Sequence, residues 1–351
     1  MQAIAAGGGG VSAIAGAMLV GGIVAIIVGI FVKKIRLLFP PVITGTVVFT
    51  IGLSLYPTAI NYMAGGTGNT AEVVSAMCLP ESLVYGSWQN WLVAALTLTA
   101  VMVLNNHGKG ICKLASILLE MVFGYVVALC FGVVSFADVG DAAWFSLPRL
   151  LHFGITFNAS SCFAVGLLFA INSIQTIGDF TATTVRGLNR ELTDNELQGG
   201  IIASVASNIL ATLFGGLPTA TYSQNVGIVT TNKVANRMVF AFAGGFLLLV
   251  GVSPKFAAVL TTIPQCVLGG TTVTVFSTIA MTGMKLIASQ DLTVWNTTIV
   301  GLSAAQGVGI SQASAALGQF PEAVTMIFGK SPVVIATLMA VLLNIILPKE
   351  K

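Results

Sequence analysis

Two short polar stretches interrupt an otherwise apolar chain. Ile174-Gln-Thr-Ile-Gly-Asp179 sets Gln175 and Asp179 four residues apart, on one face of a helix. Thr221-Tyr-Ser-Gln-Asn225 follows Gly215-Gly-Leu-Pro218, which breaks a helix and leaves extended backbone before a helix resumes near Val226. Amides and acids in apolar surroundings usually face a cavity or a pathway, because lipid offers them no partner. A glutamine presents both a carbonyl and an NH2, so Gln175 and Gln224 suit a small planar ligand whose edge carries adjacent donors and acceptors, as a nucleobase's does. The break adds exposed backbone amides and the positive end of a half-helix at mid-membrane depth, where secondary transporters bind polar substrates. Structural roles compete with these: a helix-to-helix hydrogen bond for Gln175, and surface anchoring beside Arg186 for Asp179.

Glu120 lies seven residues beyond Lys113 inside another apolar stretch and is a candidate proton carrier, against the alternatives of snorkelling or a local pair. His107 and His152 fall in expected loops without an obvious partner. No nucleophile and base, phosphate-binding loop or metal cluster is visible, so neither an enzyme nor a metal site is expected. Cys78, Cys112, Cys130, Cys162 and Cys266 are scattered as packing residues rather than paired.

The elements that must hold these groups are membrane helices. Of 351 residues, 56% are hydrophobic and 8% charged, far from the composition of a soluble domain. Eleven apolar spans are expected, near 11–31, 41–56, 89–105, 114–134, 159–178, 199–214, 222–236, 238–252, 265–287, 292–310 and 332–347. The net charge of +3 is too small and dispersed for a nucleic-acid partner. Its distribution is informative, since Lys and Arg collect on cytoplasmic loops. Lys33, Lys34, Arg36, Lys109, Lys113, Arg186, Arg190, Lys233, Arg237, Lys285, Lys349 and Lys351 fall on one side, and Arg149, Lys255 and Lys330 on the other. This sorting puts the C-terminus in the cytoplasm of a bacterial-type plasma membrane, and it requires the short, polar segment 222–236 to be a crossing.

An internal repeat is suggested by Pro40-Pro-Val-Ile-Thr-Gly45 and Pro264-Gln-Cys-Val-Leu-Gly269, at an offset of 224 residues. Carried upstream, the offset pairs the span at 11–31 with 235–255. It places the counterparts of 159–178 and 199–214 before Met1, so about three N-terminal spans are expected to be missing from the chain.

Gln224-Asn-Val-Gly-Ile-Val-Thr-Thr-Asn-Lys233 resembles the signature of the nucleobase–ascorbate transporter family, also called nucleobase:cation symporter-2. Gln224, Asn225, Gly227 and Lys233 fit it, while Asn232 stands where Thr is usual. Gln175-Thr-Ile-Gly-Asp179 is similar to a Glu-Ser/Thr-Ile-Gly-Asp segment of that family, and residues 36–55 are similar as well. The resemblance implies an all-α polytopic membrane fold of fourteen spans, in two inverted repeats of seven, of which about eleven are present, with a broken helix and a short extended strand at the substrate site. Its domains would be core at 1–36 and 159–252 and gate at 37–158 and 253–351. It implies a symporter for a purine such as xanthine or uric acid, coupled to protons or sodium, in a homodimer. By the same resemblance Gln224 bonds the substrate and favours xanthine or urate over uracil, Tyr222 and Ser223 line the site, Asn225 supports its geometry, and Asp179 stabilises the site or its coupling. Two departures each remove an acid: Gln175 replaces the usual Glu, and Ser204 stands where purine-type members commonly have Asp. An amide cannot titrate, so coupling is expected to be altered, lost or moved to Asp179 or Glu120. The alternatives are an inactive or split-gene fragment of such a permease and an anion transporter of related fold.

Overall fold

The computed structural model describes residues 10–32, 40–76, 82, 84–108, 110, 115–134, 136–222, 225, 229, 234–320, 328 and 332–347. They form α1 (Gly10–Ile30), α2 (Pro41–Met63), α3 (Ala71–Ala76), α4 (Trp88–His107), α5 (Ser116–Cys130), α6 (Ala137–Asp141), α7 (Ala159–Gly187), α8 (Asp194–Leu213), α9 (Arg237–Gly251), α10 (Pro254–Thr261), α11 (Gln265–Ile287), α12 (Val294–Gln312) and α13 (Pro332–Ile346), with a 3-10 turn at Ser314–Leu317. Ten of the eleven expected spans coincide with a helix, and 222–236 falls largely outside the described residues. Among the described residues, α1, α2, Ala159–Val185 of α7 and α11 are long and apolar enough to cross a bilayer. The pair α9 and α10, bent by 88° at a two-residue break, is a further candidate. The protein is a multi-pass, helical membrane protein.

Several boundaries differ from expectation for local reasons. α2 runs through Pro57 to Met63 instead of stopping at 56; membrane helices tolerate an internal proline because neighbouring groups satisfy the freed carbonyl. α8 starts at Asp194, five residues early, because Thr193 and Glu196 form a capping box. His107 closes α4 rather than lying in a loop.

The chain divides into two compact units. The first comprises Met1–Ser54, Pro148–Ala235 and Ile279–Lys351. In it α1 packs on α7 and α8, around Ala13, Ala17, Met18, Val165, Phe169, Leu197, Ile201 and Val205. Small residues set that approach: a side chain at Gly21 would strike Phe169, one at Gly22 would crowd Ile209, and one at Gly29 would crowd Ile201. α12 packs on α13 in the same unit, where Gly307 lies against the Pro332 carbonyl and Ala336.

The second unit comprises Leu55–Leu147 and Asn236–Thr278. Its core gathers Met63, Val93, Ala94, Ala128, Val133, Cys266 and Val267 from the end of α2, from α4, from α5 and the turn after it, and from the start of α11. Gly124 abuts Thr97 and Val267, and a Cβ on Gly270 would come within 2.7 Å of the Ala94 carbonyl. α4 and α11 therefore pack almost backbone to backbone, with α5 seated on their side chains.

Candidate substrate site

The site is built around the irregular segment 216–222, which lies between α8 and the residues of the expected seventh span. Its backbone has no ladder partner, and no strand is assigned among the described residues. The short strand expected here is thus not formed among the described residues. Side chains from α7 and α8 bond the backbone instead, meeting the demand of its amide and carbonyl groups for partners.

Asn208, 2% exposed in the C-terminal half of α8, does most of this. Its Oδ1 accepts the Thr219 backbone N–H at 2.7 Å and the Thr219 hydroxyl at 3.2 Å. Its Nδ2 donates to the Thr219 carbonyl at 3.1 Å and to the Ser204 carbonyl at 3.1 Å. One amide thereby closes on both polar groups of one residue, as a neighbouring strand would.

Thr221 is fixed in the same way from α7. Gln175 Nε2 donates to the Thr221 carbonyl at 3.1 Å. The Thr221 hydroxyl donates to Asp179 Oδ2 at 2.7 Å and lies 3.4 Å from the Thr176 hydroxyl. Only an N–H can meet a carbonyl, so the amide orientation of Gln175 is fixed and its Oε1 is turned away from Thr221. Asp179 is 7% exposed, and its own carbonyl accepts from Thr183 at 2.7 Å. Its Oδ2 thus accepts from the segment. Gly178, between the two, lets α2 approach: a Cβ there would sit 3.1 Å from Thr44.

Beyond Thr221 the chain emerges. Tyr222 is 60% exposed, and the Asn225 N–H turns back onto its carbonyl at 2.9 Å. Ser223, Gln224, Gly227 and Lys233 lie outside the described residues. The structure thus brings Gln175, Asp179, Tyr222 and Asn225 to one segment of the first unit, whereas Glu120 belongs to the second. Thr221 and Asn208 are the site residues that the sequence reading passed over. Asn208 carried a usable signal, an amide inside an apolar helix. Among the described residues no three His, Cys, Asp or Glu side chains gather as a metal site.

A family model, Xan_ur_permease, described as Permease family, matches residues 1–316. A Clostridium perfringens protein whose name assigns it provisionally as a purine permease is 36% identical over 341 residues, covering 97% of this chain and 72% of that one. The uric acid permease PucJ of Bacillus subtilis is 32% identical over 338 residues, 96% of this chain and 73% of the relative. The xanthine permease of the same organism is 32% identical over 339 residues, 96% and 74% of the two chains. With the family match running through α1 to α12 and across the side-chain-held segment, the chain belongs to the Permease family, a family of transporters and not of enzymes.

Proposed function

We propose that this chain is a secondary active transporter, a symporter that carries a purine nucleobase such as xanthine or uric acid through a site made by Gln175, Asp179, Tyr222, Ser223, Gln224 and Asn225. The observation that carries this reading is the irregular segment held at Thr219 and Thr221 by Asn208, Gln175 and Asp179. Fixing Thr221 fixes the point from which Tyr222 and the residues after it enter the site. Three interior polar side chains are used to define a short stretch of backbone, which positions a ligand without filling the site with structural contacts. An aromatic ring and the amides of Gln224 and Asn225 suit a flat heterocycle, one stacking on its face and the others meeting its edge.

Gln175 serves as a permanent donor to the segment, so the proton or sodium ion that drives uptake would be bound elsewhere, with Asp179 one candidate. A core of 1–36 and 159–252 moving against a gate of 37–158 and 253–351 would expose the site alternately to the two faces of the membrane. Support for an inverted repeat within a fourteen-span plan comes from α2 and α11. They start at 41 and 265 and end at 63 and 287, the same offset at both ends. A Cβ on Gly45 would meet the Ile287 backbone N at 2.9 Å, and one on Gly269 would meet the Met63 backbone N, contacts that the same offset exchanges.

Uptake of labelled xanthine, urate and uracil by cells lacking their own purine carriers tests the reading. Saturable xanthine or urate uptake that collapses with the ion gradient is expected. Gln224→Glu is expected to shift preference toward uracil. Sulfate or bicarbonate flux without purine competition would replace the reading by an anion transporter.

A further inference from the structure

We propose that Glu120 is a proton-binding site within the packed layer formed by α4, α5 and α11, occupied as the neutral acid while that layer is closed. Glu120 is 0% exposed, and neither carboxyl oxygen has a hydrogen-bond partner. Its polar neighbour is Thr271 on α11, whose hydroxyl donates instead to the Val267 carbonyl at 3.2 Å. Thr97, on the facing helix α4, is likewise turned to its own helix, donating to the Val93 carbonyl at 2.8 Å. The glycine one turn on, Gly124, abuts Thr97 and Val267, and Gly270 abuts Ala94, so the three helices close tightly beside the buried carboxyl.

Among the described residues no cation pairs with the carboxyl. The titratable groups on the helices packed against it are His107 at the end of α4, Tyr125 and Cys130 on α5, and Cys266 and Lys285 on α11. Tyr125 is engaged with Thr262 at 2.7 Å, and Lys285 stands fourteen residues past Thr271 on its helix, roughly 21 Å away at the helical rise. Lys109 and Lys113 lie outside the described residues. A bare carboxylate enclosed in this way costs several kcal/mol, whereas the neutral acid can be accommodated. Losing the proton therefore demands that water or a partner reach Glu120, which means parting α4, α5 and α11. Proton binding and closure of the layer are then two descriptions of one equilibrium, and each favours the other.

The test does not depend on what the protein carries. Infrared difference spectra of the purified protein, wild type minus Glu120→Gln, are expected to show the carbonyl band of a protonated carboxylic acid at neutral pH. A carboxylate band in its place overturns the proposal. Opening is read at Cys266, 0% exposed in the same layer, in a background with Cys78, Cys112, Cys130 and Cys162 replaced by serine. The ratio of thiol-labelling rates, wild type to Glu120→Gln, is expected to rise with pH, by at most about tenfold per unit for a single proton. Dividing by the variant removes the thiol's own titration, and a flat ratio also overturns the proposal. Should the glutamine variant not assemble, Glu120→Met serves as the neutral reference.

Discussion

Gln175 and Thr221 define what single side chains contribute here. Because Gln175 must donate to the Thr221 carbonyl, Gln175→Glu restores a titratable group in a place where only its protonated form can make the bond. Labelled-purine uptake by this variant is expected to be retained at low pH and to fall as pH rises, with a steeper profile than wild type. Thr221→Val removes the donor to Asp179 and is expected to lower the maximal uptake rate, whereas Thr221→Ser, which keeps the hydroxyl, is expected to restore it. Asn208→Ala leaves both polar groups of Thr219 without their partner, a loss of about 1–3 kcal/mol, and is expected to lower the melting temperature of the detergent-solubilised protein. The pairing of Gln175 with Asp179 was legible in the sequence, since four-residue spacing is a property of the helix alone. The partnership with Thr221 was not, because it depends on which backbone atoms an irregular segment leaves unsatisfied, and that is decided only when α7, α8 and the segment meet.

Among the helices, close approach is set by glycine and boundaries are set by caps. Gly269→Ala would drive a methyl group into the Met63 backbone, and Gly45→Ala would press one to 2.9 Å of Ile287. Each is expected to reduce the amount of folded protein recovered from membranes, while Gly68→Ala, with nothing within 4 Å, is expected to be neutral. At the start of α8 the Arg190 guanidinium bonds both oxygens of Glu196 at 2.7 and 2.8 Å, and Thr193 adds further hydrogen bonds, which holds that carboxyl down at about 2. The lowered value makes the cap's contribution fully present above the ordinary carboxylate range and lost as pH falls through about 2. Hydrogen exchange of the first-turn amides of α8 is therefore expected to be faster in Glu196→Gln than in wild type at neutral pH, and the difference is expected to vanish in strong acid. The Thr-x-x-Glu pattern that starts α8 can be read in the sequence, and an apolar window placed its start late only because the capping turn is polar. The course of α2 past Pro57 could not be read, since locally a proline argues for a helix end.

For the whole molecule the decisive quantity is the number of crossings between Arg190 and Ser253. Lys and Arg sort cleanly onto two sides only if 222–236 traverses the membrane. As a helix its fifteen residues would reach roughly 22 Å, short of the roughly 30 Å hydrocarbon. The irregular stretch Leu217–Thr221 would supply the difference if it runs extended, since five residues at about 3.3 Å each add roughly 16 Å. This length is available because Thr219 and Thr221 are bonded by Asn208, Gln175 and Asp179, so extended backbone can enter the membrane without unsatisfied groups. The hydrogen bonds that shape the site would then also make a short span long enough to cross. Alkaline phosphatase fused after Arg190 is expected to be inactive, and fused after Ser253 active, placing the two loops on opposite faces with the C-terminus on the side of Arg190. Equal activity at both positions would mean that the segment enters and leaves by one face. Disrupting Asn208 in the Ser253 fusion joins the two questions: if the side-chain bonds permit the crossing, Asn208→Leu is expected to reduce phosphatase activity at Ser253.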